Sequence, residues 1–178
     1  MIEATDAADG RQARPLIRPP DLLSLLRVPL AALFLLARSP WARCAILAAA
    51  ALSDVLDGYW ARRAGGSRVG GWLDPVCDKI FMGAAFFAVF QRHLLPPLEI
   101  AGALLRDIVA VAAFLGSLVL GRPTALPARA GGKAVTLCQL LTLAAFVADS
   151  DLLRPMAWAT AAISVYAIAD YGRVAWRL

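Results

Sequence analysis

Asp54-Val55-Leu56-Asp57-Gly58-Tyr59-Trp60-Ala61-Arg62, followed after a glycine- and arginine-rich turn by Gly70-Gly71-Trp72-Leu73-Asp74-Pro75-Val76-Cys77-Asp78, sets four carboxylates inside otherwise apolar sequence. Asp54, Asp57, Gly58 and Ala61 recur at helical spacing and would share one face, while Asp74 and Asp78 stand one turn apart on a second helix. Two neighbouring helices would then present two carboxylates each. Such groups repel one another, and in a bilayer each costs about several kcal/mol unless something positive lies between them. Hard divalent cations with oxygen ligands are the natural counter-charge.

The rest of the chain predicts a membrane. Its 178 residues are 60% hydrophobic, with a mean hydropathy of +0.66, far more apolar than an average soluble domain. Residues 1–20 form a polar arm with Pro15, Pro19, Pro20, Arg11, Arg14 and Arg18, and without the apolar run of a signal peptide. Residues 21–178 form one domain. About twenty apolar residues cross the hydrocarbon, and six stretches approach that length: roughly 22–38, 41–60, 74–91, 97–120, 132–148 and 153–175. Breakers separate them at Ser39-Pro40, Gly65-Gly66, Pro96-Pro97, Gly121-Arg122-Pro123 and Asp149-Ser150-Asp151.

An all-α integral membrane protein with six transmembrane helices follows, and charge orients it. Both termini fall on the side that collects Arg11, Arg14, Arg18, Arg62, Arg63, Arg68, Arg122, Arg129, Lys133, Arg173 and Arg177, eleven cations against four (Arg38, Arg43, Arg92 and Arg154) opposite. The positive-inside rule makes that side cytoplasmic, so the Asp-rich turn, at the ends of the second and third helices, faces the cytoplasm. The net charge of +5 is then topology and attraction to anionic lipid, not nucleic-acid binding. Cys44, Cys77 and Cys138 are odd in number and lack ligand spacing, which predicts buried thiols. His93 is expected in an exposed loop, and the tryptophans near span ends as an interfacial belt.

The quoted stretch resembles the signature of the CDP-alcohol phosphotransferases (CDP-alcohol phosphatidyltransferases), D-x2-D-G-x2-A-R-x8-G-x3-D-x3-D. Every fixed residue type is present in order, and one residue fewer separates Arg62 from Gly70. Keeping Gly70 in the glycine role leaves Asp74 and Asp78 in register. The resemblance implies two divalent cations, Mg2+ or Mn2+, on Asp54, Asp57, Asp74 and Asp78, with Asp78 as general base on the acceptor hydroxyl. It also implies a nucleotide laid along Asp57, Gly58, Ala61, Arg62, Gly70 and Asp74, and a homodimer. Two metal ions clamping a diphosphate suit the chemistry of a phosphoryl-linked transfer.

Other segments match the family more loosely. Pro20-Asp21-Leu22-Leu23-Ser24-Leu25-Leu26-Arg27 resembles the opening P-N-x-L-T-x-x-R of bacterial members, and Arg106-Asp107 an R-E or R-D pair in the fourth helix. An arginine at that depth should face the site or a carboxylate. Gly132-Lys133-Ala134-Val135-Thr136-Leu137-Cys138-Gln139 resembles the G-K-x-K-T-x-x-Q of phosphatidylglycerophosphate synthases, with Val135 replacing the second lysine. Arg106, Arg129 and Lys133 are the candidate acceptor-binding cations. Most short bacterial members that this chain resembles transfer phosphatidyl from CDP-diacylglycerol to glycerol 3-phosphate and release CMP, and the resemblance implies that reaction here. The R-D pair, Val135 and the closing Tyr166, Tyr171, Gly172 and Arg173 resemble instead cardiolipin synthases, whose acceptor is phosphatidylglycerol. A transporter with an acidic ion path is the alternative from another class, although a relay would spread its carboxylates through the membrane rather than gather them at one side.

Overall fold

The computed structural model describes residues 19–64, 70–119 and 130–175. They form six helices and, among the described residues, no strand: α1 (Pro19–Leu36), α2 (Pro40–Ala64), α3 (Gly70–Gln91), α4 (Pro97–Val119), α5 (Ala130–Val147) and α6 (Leu153–Ala175). Local chemistry sets their ends. Pro19 and Pro20 begin α1, where a missing N–H is harmless, and Asp21 complements the dipole in the first turn. Ser39 caps α2, its Oγ accepting from the Ala42 amide at 3.1 Å, with Pro40 next in line. After α3 the chain turns through His93, exposed as expected, at φ 53°. After α5 it turns through Asp149 at φ 50°. There the Ser150 amide donates to the Ala145 carbonyl at 3.0 Å and the Asp149 amide to that of Phe146 at 3.3 Å, a Schellman end that satisfies the last carbonyls.

Packing divides the bundle. α1 lies against α2 and α3, and α6 against α4 and α5, while α2 with α5 makes the broadest join between the halves. Phe34 (α1) is fully buried with its ring 6.0 Å from Phe81 (α3), edge-on, and 6.4 Å from Phe146 (α5). The Arg43 guanidinium (α2) covers the Phe146 ring at 5.2 Å and the Phe34 ring at 5.9 Å, so this cation is buried over aromatics rather than held in a loop. Small residues close the second half: a Cβ on Gly102 would stand 3.0 Å from the Ala161 Cβ, and one on Gly131 3.3 Å from that of Ala167.

Polar side chains share the interior with the apolar core, and many large apolar side chains lie outside. Ser24, Arg27, Asp57, Glu99, Asp107, Gln139, Thr142, Thr160 and Ser164 are buried, whereas leucines, valines and aromatics of all six helices are exposed. The six expected stretches are all helices; among the described residues, no helix is long and apolar enough to cross a membrane. Charge within the helices is one reason, since α3 alone carries Asp74, Asp78 and Lys79. Of the three thiols expected to be buried, one departs from that expectation. Cys77 is buried, Cys138 partly so, and Cys44 is exposed.

Candidate active site

Three helix ends supply the carboxylates and their counter-charge. Ser24 and Arg27 sit one turn apart near the start of α1, a spacing that turns both toward α2 and α3. Arg27, only 2% exposed, brings Nη2 to 3.0 Å from Asp54 Oδ1 and donates to Asp57 Oδ2. The Ser24 hydroxyl donates to Asp74 Oδ1 and lies 3.3 Å from Asp57 Oδ2, so its single proton serves one carboxylate at a time. A guanidinium thus fills the position between Asp54 and Asp57 where the sequence implied a cation, and its Nε is buried with no hydrogen-bond partner. Unit charges about 4 Å apart interact by about 4 kcal/mol near a protein surface, so Arg27 offsets part of the repulsion between Asp54 and Asp57.

Asp78 lies on the other side of this group. With Asp54, Arg27, Ala50 and Thr136 it lines a cavity of about 20 Å³, room for roughly one water-sized particle. A larger cavity of about 220 Å³, lined by Leu94, Phe146, Asp149, Asp151 and Arg154, opens at the opposite end of the bundle, far from the carboxylates. Lys79 Nζ donates to buried Asp107 on α4 and stands 3.4 Å from Asp78 Oδ2. Asp107 also accepts from Arg106 Nη1 at 3.1 Å and from Gln139 Nε2 (α5) at 2.7 Å.

Among the described residues, no group of three or more His, Cys, Asp or Glu side chains is gathered to hold a metal. The sequence expected Asp54, Asp57, Asp74 and Asp78 as the ligand set, and in this structure Arg27 and Ser24 are partners of the first three. The donors themselves fit a hard divalent ion: they are carboxylate oxygens around a resident cation, beside a cavity of ion size.

The remaining expected residues divide. Gly58 is partly buried behind Asp57. Ala61 and Arg62 continue α2 and Gly70 opens α3, with their side chains outside the described residues, as is Arg129. Arg106 faces a carboxylate, as expected of a cation at that depth, and Lys133 is exposed on α5. Sequence spacing missed the roles of Ser24, Arg27, Lys79 and Gln139. The signal available was the improbability of burying Arg27 or Lys79 without an acidic partner.

Residues 17–168 match the CDP-alcohol phosphatidyltransferase family. Over 148 residues, 78% of this chain and 79% of the relative, the sequence is 33% identical to the CDP-diacylglycerol–glycerol-3-phosphate 3-phosphatidyltransferase of Escherichia coli (strain K12). The proteins of the same name from Shigella flexneri serotype 5b (strain 8401) and Shigella sonnei (strain Ss046) match to the same extent, 33% identity over 148 residues. With the signature residues converging at one end of six helices and the match running through most of the chain, this protein belongs to the CDP-alcohol phosphatidyltransferase family.

Proposed function

We propose that this enzyme transfers a phosphatidyl group from CDP-diacylglycerol to glycerol 3-phosphate, forming phosphatidylglycerophosphate and releasing CMP. The acceptor is supported by the relatives' name, which favours glycerol 3-phosphate over the phosphatidylglycerol that a cardiolipin synthase would use. The convergence of Asp54, Asp57 and Asp74 on Ser24 and Arg27, with Asp78 across a small cavity from Asp54, is the observation that carries the reading.

In this reading the acceptor hydroxyl oxygen attacks the phosphorus that bears diacylglycerol, the diphosphate P–O bond breaks, and CMP leaves with the bridging oxygen. The Asp78 carboxylate accepts the hydroxyl proton. Gly58 and Ala61 leave room for the nucleoside, while Arg62 offers a charged partner to the diphosphate. Arg106, Arg129 and Lys133 attract the acceptor's phosphate. When bound, Mg2+ or Mn2+ held by Asp54, Asp57, Asp74 and Asp78 would neutralise the diphosphate oxygens.

The outward-facing apolar side chains of all six helices, against an interior that holds Arg27 and Asp107, support burial in lipid. The arginine distribution supports cytoplasmic termini and an active site at the cytoplasmic face of a bacterial inner membrane. The homodimer rests on the family resemblance. Labelled CDP-diacylglycerol supplied with glycerol 3-phosphate, phosphatidylglycerol, inositol phosphate or serine tests the acceptor by the lipid formed. A product from phosphatidylglycerol alone would overturn it.

A further inference from the structure

The Lys79 ammonium stands between two carboxylates and is ion-paired with both, more closely with Asp107 than with Asp78. It donates to Asp107, yet its 3.4 Å separation from Asp78 Oδ2 exceeds an ordinary N–H···O bond. Asp107 is buried and fixed from two further directions, by Arg106 on its own helix and by Gln139, whose Nε2 also donates to the Ala103 carbonyl at 3.0 Å. Lys79 follows Asp78 directly in α3, so the two side chains leave the helix about 100° apart. The lysine stem is long and flexible, and four carboxylates at the site attract its ammonium. Without Asp107, the nearest one would take it.

We infer that Asp107 is a positioning residue that holds the Lys79 ammonium closer to itself than to Asp78, leaving the Asp78 carboxylate available to acceptor and divalent cation. The inference rests on the proposed use of Asp78. Gln139 gives the device its rigidity: it ties Asp107 on α4 to α5, and through Lys79 to α3. Glutamine can do this because its amide donates without adding a charge.

Full-length protein in detergent micelles tests this with Mn2+ itself as the probe, free ion being read by electron paramagnetic resonance. Asp107→Asn is expected to weaken Mn2+ binding about fivefold or more and to lower kcat about tenfold or more, with the KM for CDP-diacylglycerol within about twofold of wild type. Adding Lys79→Met to that variant removes the captured ammonium and is expected to return both readouts to within about threefold. A structural tie alone would instead lower the melting temperature and gain nothing from Lys79→Met. An Asp107→Asn variant that binds Mn2+ normally, or a double variant as impaired as the single, overturns the inference. If the Mn2+ series behaves as expected but no form uses glycerol 3-phosphate, the acceptor assignment falls and the positioning role stands. If Asp107→Asn does not fold, Gln139→Leu loosens the same carboxylate. It is expected to weaken Mn2+ binding about twofold, again with suppression by Lys79→Met, and absence of that suppression overturns the inference.

Discussion

Replacing Arg27 by methionine removes the cation from the carboxylate cluster while keeping much of its bulk. Asp57, whose side chain is 6% exposed, would then keep Ser24 at 3.3 Å as its side-chain partner. Asp54, 58% exposed, can rehydrate and contributes little to the loss. Breaking one buried charge pair costs about 3–5 kcal/mol. For a chain of this size each kcal/mol lowers the melting temperature by about 2–4 °C, so the variant should melt on the order of 10 °C below wild type in detergent. Two controls separate charge from packing. Asp57→Asn added to Arg27→Met should recover more than half of the loss, because the stranded charge is gone. Mn2+ should raise the melting temperature of Arg27→Met by more than that of wild type, since binding to the folded state is stabilising and the variant's aspartates lack their resident cation. A variant melting within about 2 °C of wild type, or one that Asp57→Asn fails to restore, would refute the charge-compensation account.

Asp78→Asn should abolish CMP release while leaving the protein folded and able to bind CDP-diacylglycerol; retained turnover in a radiolabel assay removes Asp78 as the base. Chelation should stop lipid synthesis and Mg2+ or Mn2+ restore it, followed by thin-layer separation of the product, and turnover that survives EDTA would exclude the divalent-cation reading. Phe34→Ala deletes a fully buried ring between Phe81 and Phe146 and should destabilise by about 3–5 kcal/mol in denaturant titration. A loss below about 1 kcal/mol there would mean the two halves are not joined at this ring.

The helices were legible because apolar runs and breakers delimit them: the stretches 97–120 and 153–175 fall almost residue for residue on α4 and α6. α2 and α3 run further into the signature than hydrophobicity predicts, to Ala64 and back to Gly70. Backbone bonding continues a helix through Asp, Gly and Arg, which an apolar count does not register. The aspartates were legible as a set, since four carboxylates at helical spacing have few innocent explanations. Their partners were not. Arg27 reaches Asp57 across 30 positions and Gln139 reaches Asp107 across 32, and no local spacing encodes a contact between helices. Cys44 is exposed despite its apolar neighbours, because neighbours in sequence do not fix which face of a helix a residue takes.

That exposure bears on how the molecule meets its surroundings. In a water-soluble bundle Leu36, Leu98 and Trp41 would turn inward and Arg27 and Gln139 outward; here the first three are 75%, 77% and 85% exposed and the latter two are buried. A mean taken along a helix adds inward charges to outward leucines and so falls short of a membrane span, as α3 does with Asp74, Asp78 and Lys79 on the same helix as exposed Val76, Ile80, Phe87 and Phe90. In the proposed bilayer setting lipid would touch only the outer face, so the face-by-face pattern bears on it more than the mean does. Chemistry gives the same answer from the other side. A CDP-linked lipid donor keeps its tails in hydrocarbon while its diphosphate needs carboxylates and cations at the aqueous edge. A bundle with Arg27, Asp57 and Asp107 inside and leucines such as Leu36 and Leu98 outside suits both demands.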